Sequence, residues 1–281
     1  MLRKIIVSKR VFIYSIIAIT SITCLIIVFP VYWLLLGSFQ QEIAFFTYPP
    51  PFLAKFFTSA PYLKSFADGR IVLWIRNTSI VTVAVVVFTV VVGSLAAYGF
   101  ARFRFAWKNL FLLLILTTQM IPEVLAVTPL YITFRQWGLI NTFPGLIIAD
   151  LGLALPLSIW IFMGFFTTIP RAIEEAAMID GCSRLGVLFR IVLPLSTPAL
   201  ITIAALTFFA TWNEYVFALT FIDDPNKWLG TVGIASFIGE HTTSLNTMMS
   251  SSVLFLVTPV FIYAFLQKYI VSGITRGGVK G

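Results

Sequence analysis

The feature that most constrains this chain is the length of its uncharged runs. Val11–Leu36, Asn77–Ala101 and Thr242–Gln267 contain no Asp, Glu, Lys or Arg. Leu110–Phe134 contains only Glu123, Thr142–Thr168 only Asp150, and Ile191–Ile222 only Glu214. A helix needs about 20 mostly apolar residues to cross a bilayer. In lipid every backbone polar group must bond internally, which a helix achieves within one segment. A membrane β-barrel would instead show short segments of alternating polarity. The expected fold is therefore all-α: a polytopic membrane protein with six transmembrane helices, at about 11–36, 74–101, 109–134, 143–168, 198–222 and 244–268. Apolar residue types make up 59% of the 281 residues, with 28 phenylalanines, more than a soluble domain of this length has interior for. One membrane domain is expected over 1–281, with no soluble domain.

The first run follows Arg3, Lys4, Lys9 and Arg10, as the core of a secretory signal would. Such cores run to about 7–15 residues and end at a small-residue cleavage site. Val11–Leu36 is longer, has no Ala-x-Ala after it, and reads as a retained anchor. The net charge of +8 reads as orientation rather than as a nucleic-acid footprint. Lys and Arg accumulate in cytoplasmic loops. With the N-terminus inside, thirteen basic residues fall on inside segments and six on outside ones. Both termini are then cytoplasmic. Cys24 lies in the first run and Cys182 in a charged loop, so no disulfide is expected.

Pro122 and Pro129 are expected to break the third run, because proline removes an amide donor and kinks a helix. Two of the segments expected outside stand out. Gly37–Gly69 is the longer. Asp223–Leu245 carries Trp228, Leu229, Val232, Ile234 and Phe237, too many apolar side chains for a simple linker. They should pack on the ends of the spans or on a partner that docks there.

Between the fourth and fifth runs lies IPRAIEEAAMIDGCSRLGVLFRIVLPLSTP, residues 169–198, with six charges from Arg171 to Arg190. Pro170 suits a first helical turn, with Thr168 as the expected cap. Arg171 to Asp180 is rich in Ala and Glu, which favours helix. Gly181 can supply the left-handed residue that ends it, and Ser183 can cap a second helix. In that helix Leu185, Leu188, Phe189 and Val192 repeat at i, i+3, i+4 and i+7. The expected result is a helix–bend–helix elbow over 169–197 on the cytoplasmic face. One surface rests on the spans, and the other, with Glu174, Glu175, Asp180 and Arg184, is free.

The spacing Glu175-Ala176-Ala177, then Gly181, then Ile191 and Leu193-Pro194, resembles the EAA motif of ABC importer membrane subunits. Gly138-Leu139-Ile140-Asn141-Thr142, Trp212-Asn213-Glu214-Tyr215 and the ending from Ile270 to Gly281 are similar to the second permease of class 1 carbohydrate uptake systems, the family of the maltose importer. Cys182 stands where that family more often has Ala. The resemblance implies that the elbow is a coupling helix seated in a cleft of an ATP-binding subunit. Glu175 would pair with a basic residue there, and Ala176 and Ala177 would permit close approach. Gly181 would make the bend, and Ile191, Leu193 and Pro194 would anchor the loop. The ending would reach the ATPase dimer interface. The implied partners are a homologous second permease, an ATP-binding subunit dimer, an extracytoplasmic solute-binding protein and membrane lipid, with no nucleic acid. The implied location is a bacterial-type inner membrane.

No G-x-x-x-x-G-K-[ST] stretch that would cradle phosphates is present, so ATP and Mg would be used by a separate subunit. No cofactor or metal is expected on this chain. A charge at the bilayer centre costs roughly 2.5–3.5 kcal/mol on insertion scales, so each acid in a run needs a reason. Glu123, Asp150 and Glu214 all fall in the outer halves of their runs. They either line a solute path or pair between helices and cap the break at Pro122. Gln119, Glu123, Trp212, Asn213, Glu214 and Tyr215 are the candidate path residues, since carboxylates and amides bond sugar hydroxyls and aromatic faces cover sugar C–H surfaces. His241, the only histidine, reads as a surface residue. A membrane enzyme is disfavoured: Asp150 is the only Asp within a run, and no buried histidine or ligand cluster is expected. An ATP-independent carrier or channel remains the alternative to an importer.

Overall fold

The computed structural model describes the backbone of residues 2–49, 51–53, 57–239 and 244–278, and the side chains of 12–45, 47–49, 51–53, 57–239 and 244–267. Among these the regular structure is helix, with one isolated bridge between Gln40 and Phe57. In order the helices are α1 (Leu2–Ser38), α2 (Ala60–Asp68), α3 (Arg70–Arg102), α4 (Lys108–Thr117), α5 (Glu123–Gln136), α6 (Phe143–Thr168) and α7 (Arg171–Ile179). They continue as α8 (Arg184–Val187), α9 (Leu193–Leu195), α10 (Thr197–Trp212), α11 (Val216–Phe221), α12 (Gly230–Ser236) and α13 (Leu245–Gly278). Four stretches are long and apolar enough to cross a membrane: Phe12–Ser38, Arg70–Arg102, Phe143–Thr168 and Leu245–Gln267. Two bent pairs pass the same test, Lys108–Met120 with Glu123–Gln136 and Arg184–Leu195 with Thr197–Trp212.

The helices fall into two compact units, Met1–Gly69 with Phe237–Leu254, and Arg70–Ser236 with Phe255–Gly281. In the first, α1 is exposed along residues 12–32, as an apolar helix meeting lipid would be. After it the chain turns through a 3-10 segment, Glu42–Phe46, into α2. A polar seam joins α2 to the start of α13, with the Ser65 hydroxyl 2.9 Å from that of Ser250 and 3.1 Å from that of Ser251. Small hydroxyl residues allow close helix approach where no hydrophobic force drives helices together.

The second unit is built on α3 and α6. Gly93 lets them touch: a Cβ there would stand 2.7 Å from the Ser158 hydroxyl. At one end Val81 and Val85 of α3 meet Leu146 and Ala149 of α6. At the other, Ala97, Tyr98 and Ala101 meet Ile159, Phe162 and Phe166. The first half of each helix thus packs with the first half of the other, so α3 and α6 run parallel. The chain between them must return from one end to the other, and α4 with α5 does this, since Phe134 near the end of α5 joins the Val81 cluster. α10 and α11 run the opposite way to α3, from Ala199 and Ile203 in one cluster to Phe217 and Phe221 in the other.

Pro122 does break the third run, by 103° between the two pieces. Pro129 does not, contrary to expectation, and sits inside α5. The fifth run, expected to be continuous from 198 to 222, stops at Trp212 and restarts at Val216. At the Val81 end, Asn141 (φ 60°) ties three segments together. Its amide donates to Phe221 O at 2.7 Å, its side chain accepts from the Asp224 amide at 3.1 Å, and Lys227 Nζ donates to its carbonyl at 2.9 Å. Thr142 then caps α6 by accepting from the Gly145 amide. Leu229 and Val232 of the segment expected outside are buried in the same cluster, so these two pack on helix ends of their own chain. Glu240 and His241 lie outside the described residues.

Candidate functional site

The elbow begins one residue after α6 ends. Thr168, expected to cap α7, belongs to α6, where its hydroxyl donates to Phe165 O, so its backbone is helical and cannot serve as a cap. α7 ends as the glycine suggests. Gly181 has φ +87°, the Cys182 amide donates to Ala177 O at 2.9 Å and the Gly181 amide to Met178 O at 3.1 Å. This pair of bonds is a Schellman motif. Ser183 accepts from the Gly186 amide at 3.2 Å and caps α8.

Glu174 is not on the free surface expected for it. It is 4% exposed. Its carboxylate accepts from the Tyr98 hydroxyl at 2.9 Å and from Arg102 Nε at 2.6 Å. The Arg102 guanidinium also donates to Phe166 O at 2.7 Å and Ile169 O at 3.1 Å, carbonyls at the C-terminus of α6. One buried arginine thus binds an acid of α7 and two carbonyls at the end of α6, of which Phe166 O also accepts from the Ile169 amide at 3.2 Å, where positive charge suits the helix dipole. Tyr98 and Arg102 were not among the sequence candidates. Their i, i+4 spacing at the end of an apolar run places both on one face of α3 and was the available signal.

The other elbow residues separate cleanly. Glu175, Ala176, Asp180, Gly181 and Arg184 are exposed, and Ala177 is half-buried. The Arg184 guanidinium lies 5.0 Å from the centroid of the Phe103 ring. Leu193 is buried and Ile191 half-buried, but Pro194, an expected anchor, is exposed. The apolar face also differs. Val187, Leu188, Val192 and Leu193 are buried, while Leu185 and Phe189 are exposed. The cause is a π-helical segment, Leu188–Val192, whose i to i+5 bonding replaces the assumed period of 3.6.

The second feature is a cavity of about 470 Å³ lined by the α4–α5 break, the middle of α6, and α10 running into α11. Three carboxylates from three separate runs, Glu123, Asp150 and Glu214, converge on it, with Gln119, Asn213 and Tyr215. Each acid is held differently. Glu214 caps α11, accepting from the Phe217 amide at 2.6 Å and the Ala218 amide at 2.9 Å. Its own carbonyl accepts from Thr231 of α12 at 2.6 Å. Glu123 opens α5, where the helix dipole favours an acid, and its Oε1 has no hydrogen bond among the described residues. Asp150 is 3% exposed, and neither of its carboxylate oxygens is bonded among the described residues. The pairing between helices considered for Asp150 is therefore not made among the described residues. Gln119 Nε2 donates to Leu153 O at 2.8 Å, and Asn213 Nδ2 to Phe209 O at 2.8 Å. Trp212 does not line the cavity. It is 1% exposed, stacked between Phe208 and Phe255 at centroid distances of 5.3 and 5.0 Å.

Replacing Glu214 with alanine should lower the thermal unfolding midpoint of the detergent-purified chain, and glutamine should recover part of the loss. Each hydrogen bond to a charged group contributes about 1.5–3 kcal/mol, and glutamine keeps one acceptor oxygen. An unchanged midpoint in the alanine variant would remove the capping role.

Residues 89–276 match the family model for the inner membrane component of binding-protein-dependent transport systems. The chain belongs to that family. This permease is thus a transport component rather than an enzyme. It is 35% identical to the trehalose/maltose transport system permease of Thermococcus litoralis over 98% of both chains. It is 33% identical to a sulfoquinovosyl glycerol permease of Agrobacterium fabrum, over 90% of this chain and 89% of that one. Among solved structures, one chain of a bacterial ABC transporter that imports the acidic polysaccharide alginate superposes with TM-score 0.81. It has 22% identity over 93% of this permease and 97% of that chain. The shared fold is that of an ABC importer permease.

Proposed function

We propose that this permease belongs to an ATP-driven importer and moves a sugar or sugar-like solute inward by alternating access. The observation that carries the reading is the Arg102–Glu174 anchor, which fastens the elbow to α3 and to the end of α6. A push on the exposed Glu175–Gly181 surface is thereby delivered to α6, whose middle lines the cavity. Glu175, Ala176 and Gly181 meet the ATPase, and Leu193 with Ile191 roots the loop in the core. ATP and Mg are used by that partner. Parallel α3 and α6, with return crossings at α4–α5 and α10–α11, support six spans in one membrane domain. The distribution of basic residues supports a cytoplasmic elbow and cytoplasmic termini. A sugar solute is supported by relatives named for trehalose/maltose and maltodextrin transport. The alginate transporter has been solved in complex with a periplasmic protein carrying an alginate pentasaccharide, which supports docking of a solute-binding protein outside. A homologous second permease completes the pathway.

The test is purification of the tagged chain from its native membranes in mild detergent, with mass spectrometry of its companions and ATP-dependent sugar uptake after reconstitution. An ATPase and a second permease are expected, with uptake that stops without ATP. Recovery of the folded chain alone, or uptake that persists without ATP, would sink the reading and favour a carrier or channel.

A further inference from the structure

The titratable side chains on the cavity wall are all acids. Glu123, Asp150 and Glu214 line it, and among the described residues no lysine, arginine or histidine does. Glu214 is committed to the amides of α11. Asp150 is not committed: it is 3% exposed, both of its oxygens lack a partner among the described residues, and it lines the cavity. Glu123 brings a third unbonded oxygen to the same space. These three acids, with any other described Asp or Glu, do not form a cluster tight enough to hold a metal ion. The cavity is wide enough for a hydrated sugar ring, since a water molecule takes about 30 Å³ of liquid volume. The polar neighbours Gln119 and Asn213 add amides, which bond hydroxyls without adding charge.

We propose that this cavity is a charge filter: Asp150, with Glu123 beside it, turns away anionic solutes and admits sugars that are uncharged or carry a cationic group. The proposal rests on the importer reading and narrows its solute class. The fold does not set this sign, because the same fold serves an importer of an acidic polysaccharide. The lining residues set it. A cleft lined by one sign of charge between low-dielectric walls concentrates the opposite ion and depletes its own. An acidic sugar would meet carboxylates with no cation to pair with. A neutral polyol would find hydrogen-bond acceptors, and an amine a counter-ion.

The filter can be read without knowing the solute. Cys24 and Cys182 are changed to serine, and Ala210, exposed on the cavity wall, is changed to cysteine. The full-length permease, purified with its companions, is then treated with a cationic and an anionic methanethiosulfonate of similar size. The cationic reagent should be favoured about tenfold or more over the preference that the same pair shows for a small free thiol. Adding Asp150→Asn and Glu123→Gln, which keep shape and remove the acids, should collapse that preference. Asp150→Asn alone, in a variant that elutes with its companions as before, should remove part of it. Equal rates before the acids are removed, an unchanged preference after, or no reaction of the introduced thiol with either reagent would each overturn the proposal. The rates need neither ATP nor uptake, so failure here is distinct from failure of the importer reading, which uptake decides.

Discussion

Replacing Arg102 with alanine should strip the elbow from the helices that carry it. The substitution leaves the Glu174 carboxylate buried with only the Tyr98 hydroxyl, and removes the guanidinium bonds to Phe166 O and Ile169 O, leaving Phe166 O the Ile169 amide. Breaking a buried pair from one side costs about 3–5 kcal/mol, because the remaining charge has no compensation. The purified protein should unfold at a clearly lower temperature and lose its ATPase in mild detergent. Lysine should rescue little, since a single ammonium cannot present the planar fork that reaches a carboxylate and two carbonyls. Removing both charges, as in Arg102→Met with Glu174→Leu, should restore most of the stability, because well-packed apolar replacements of a buried pair are often neutral. If the alanine variant melts with the parent, the anchor carries no weight. If the double variant is as unstable as the single one, the carbonyl contacts matter more than the ion pair.

Changing the neighbouring Glu175 to lysine should do the opposite: leave stability untouched and end uptake. Glu175 is exposed, so folding asks nothing of it. If it pairs with a basic residue of the ATPase, reversal places like charges together. Loss of one partner of a buried interfacial pair already costs about 2–5 kcal/mol, roughly 25-fold or more in affinity. Co-purification of the ATPase and ATP-dependent uptake are the readouts, with insertion and melting temperature as controls. Full uptake by the lysine variant would remove Glu175 from the coupling contact. Two adjacent glutamates thus differ in setting: Glu174 is buried in the anchor, and Glu175 is exposed.

How much of this was legible depends on the kind of signal. α6, Phe143–Thr168, coincides with the run expected at 143–168, because a long, nearly uncharged run favours continuous helix. The bend at Gly181 and the cap at Ser183 were readable because both are local chemistry, settled within a few residues. The face of α7 was not. Glu174 and Glu175 are identical side chains one position apart. What buries one of them is an arginine 72 residues earlier in the chain. The break at Asn213–Tyr215 was hidden because counting charges measures whether a run can enter lipid. It does not measure whether the run stays one helix. Glu214 looked like a path residue inside a span, and it is also the acceptor that restarts the helix.

The sequence by itself determined the class and the parts: apolar runs that only helices can satisfy, an elbow with its glycine, and three acids too costly to sit in lipid without a reason. Only the tertiary structure decided what those acids face. Glu123, Asp150 and Glu214 are separated by 27 and 64 residues, and nothing local brings them together. Parallel packing of α3 and α6, with broken helices returning beside them, sets all three around one cavity while Trp212 turns into an aromatic stack. The physical reason is range. Hydration and backbone bonding act on each segment alone, whereas a cavity and a buried ion pair exist only where distant segments meet.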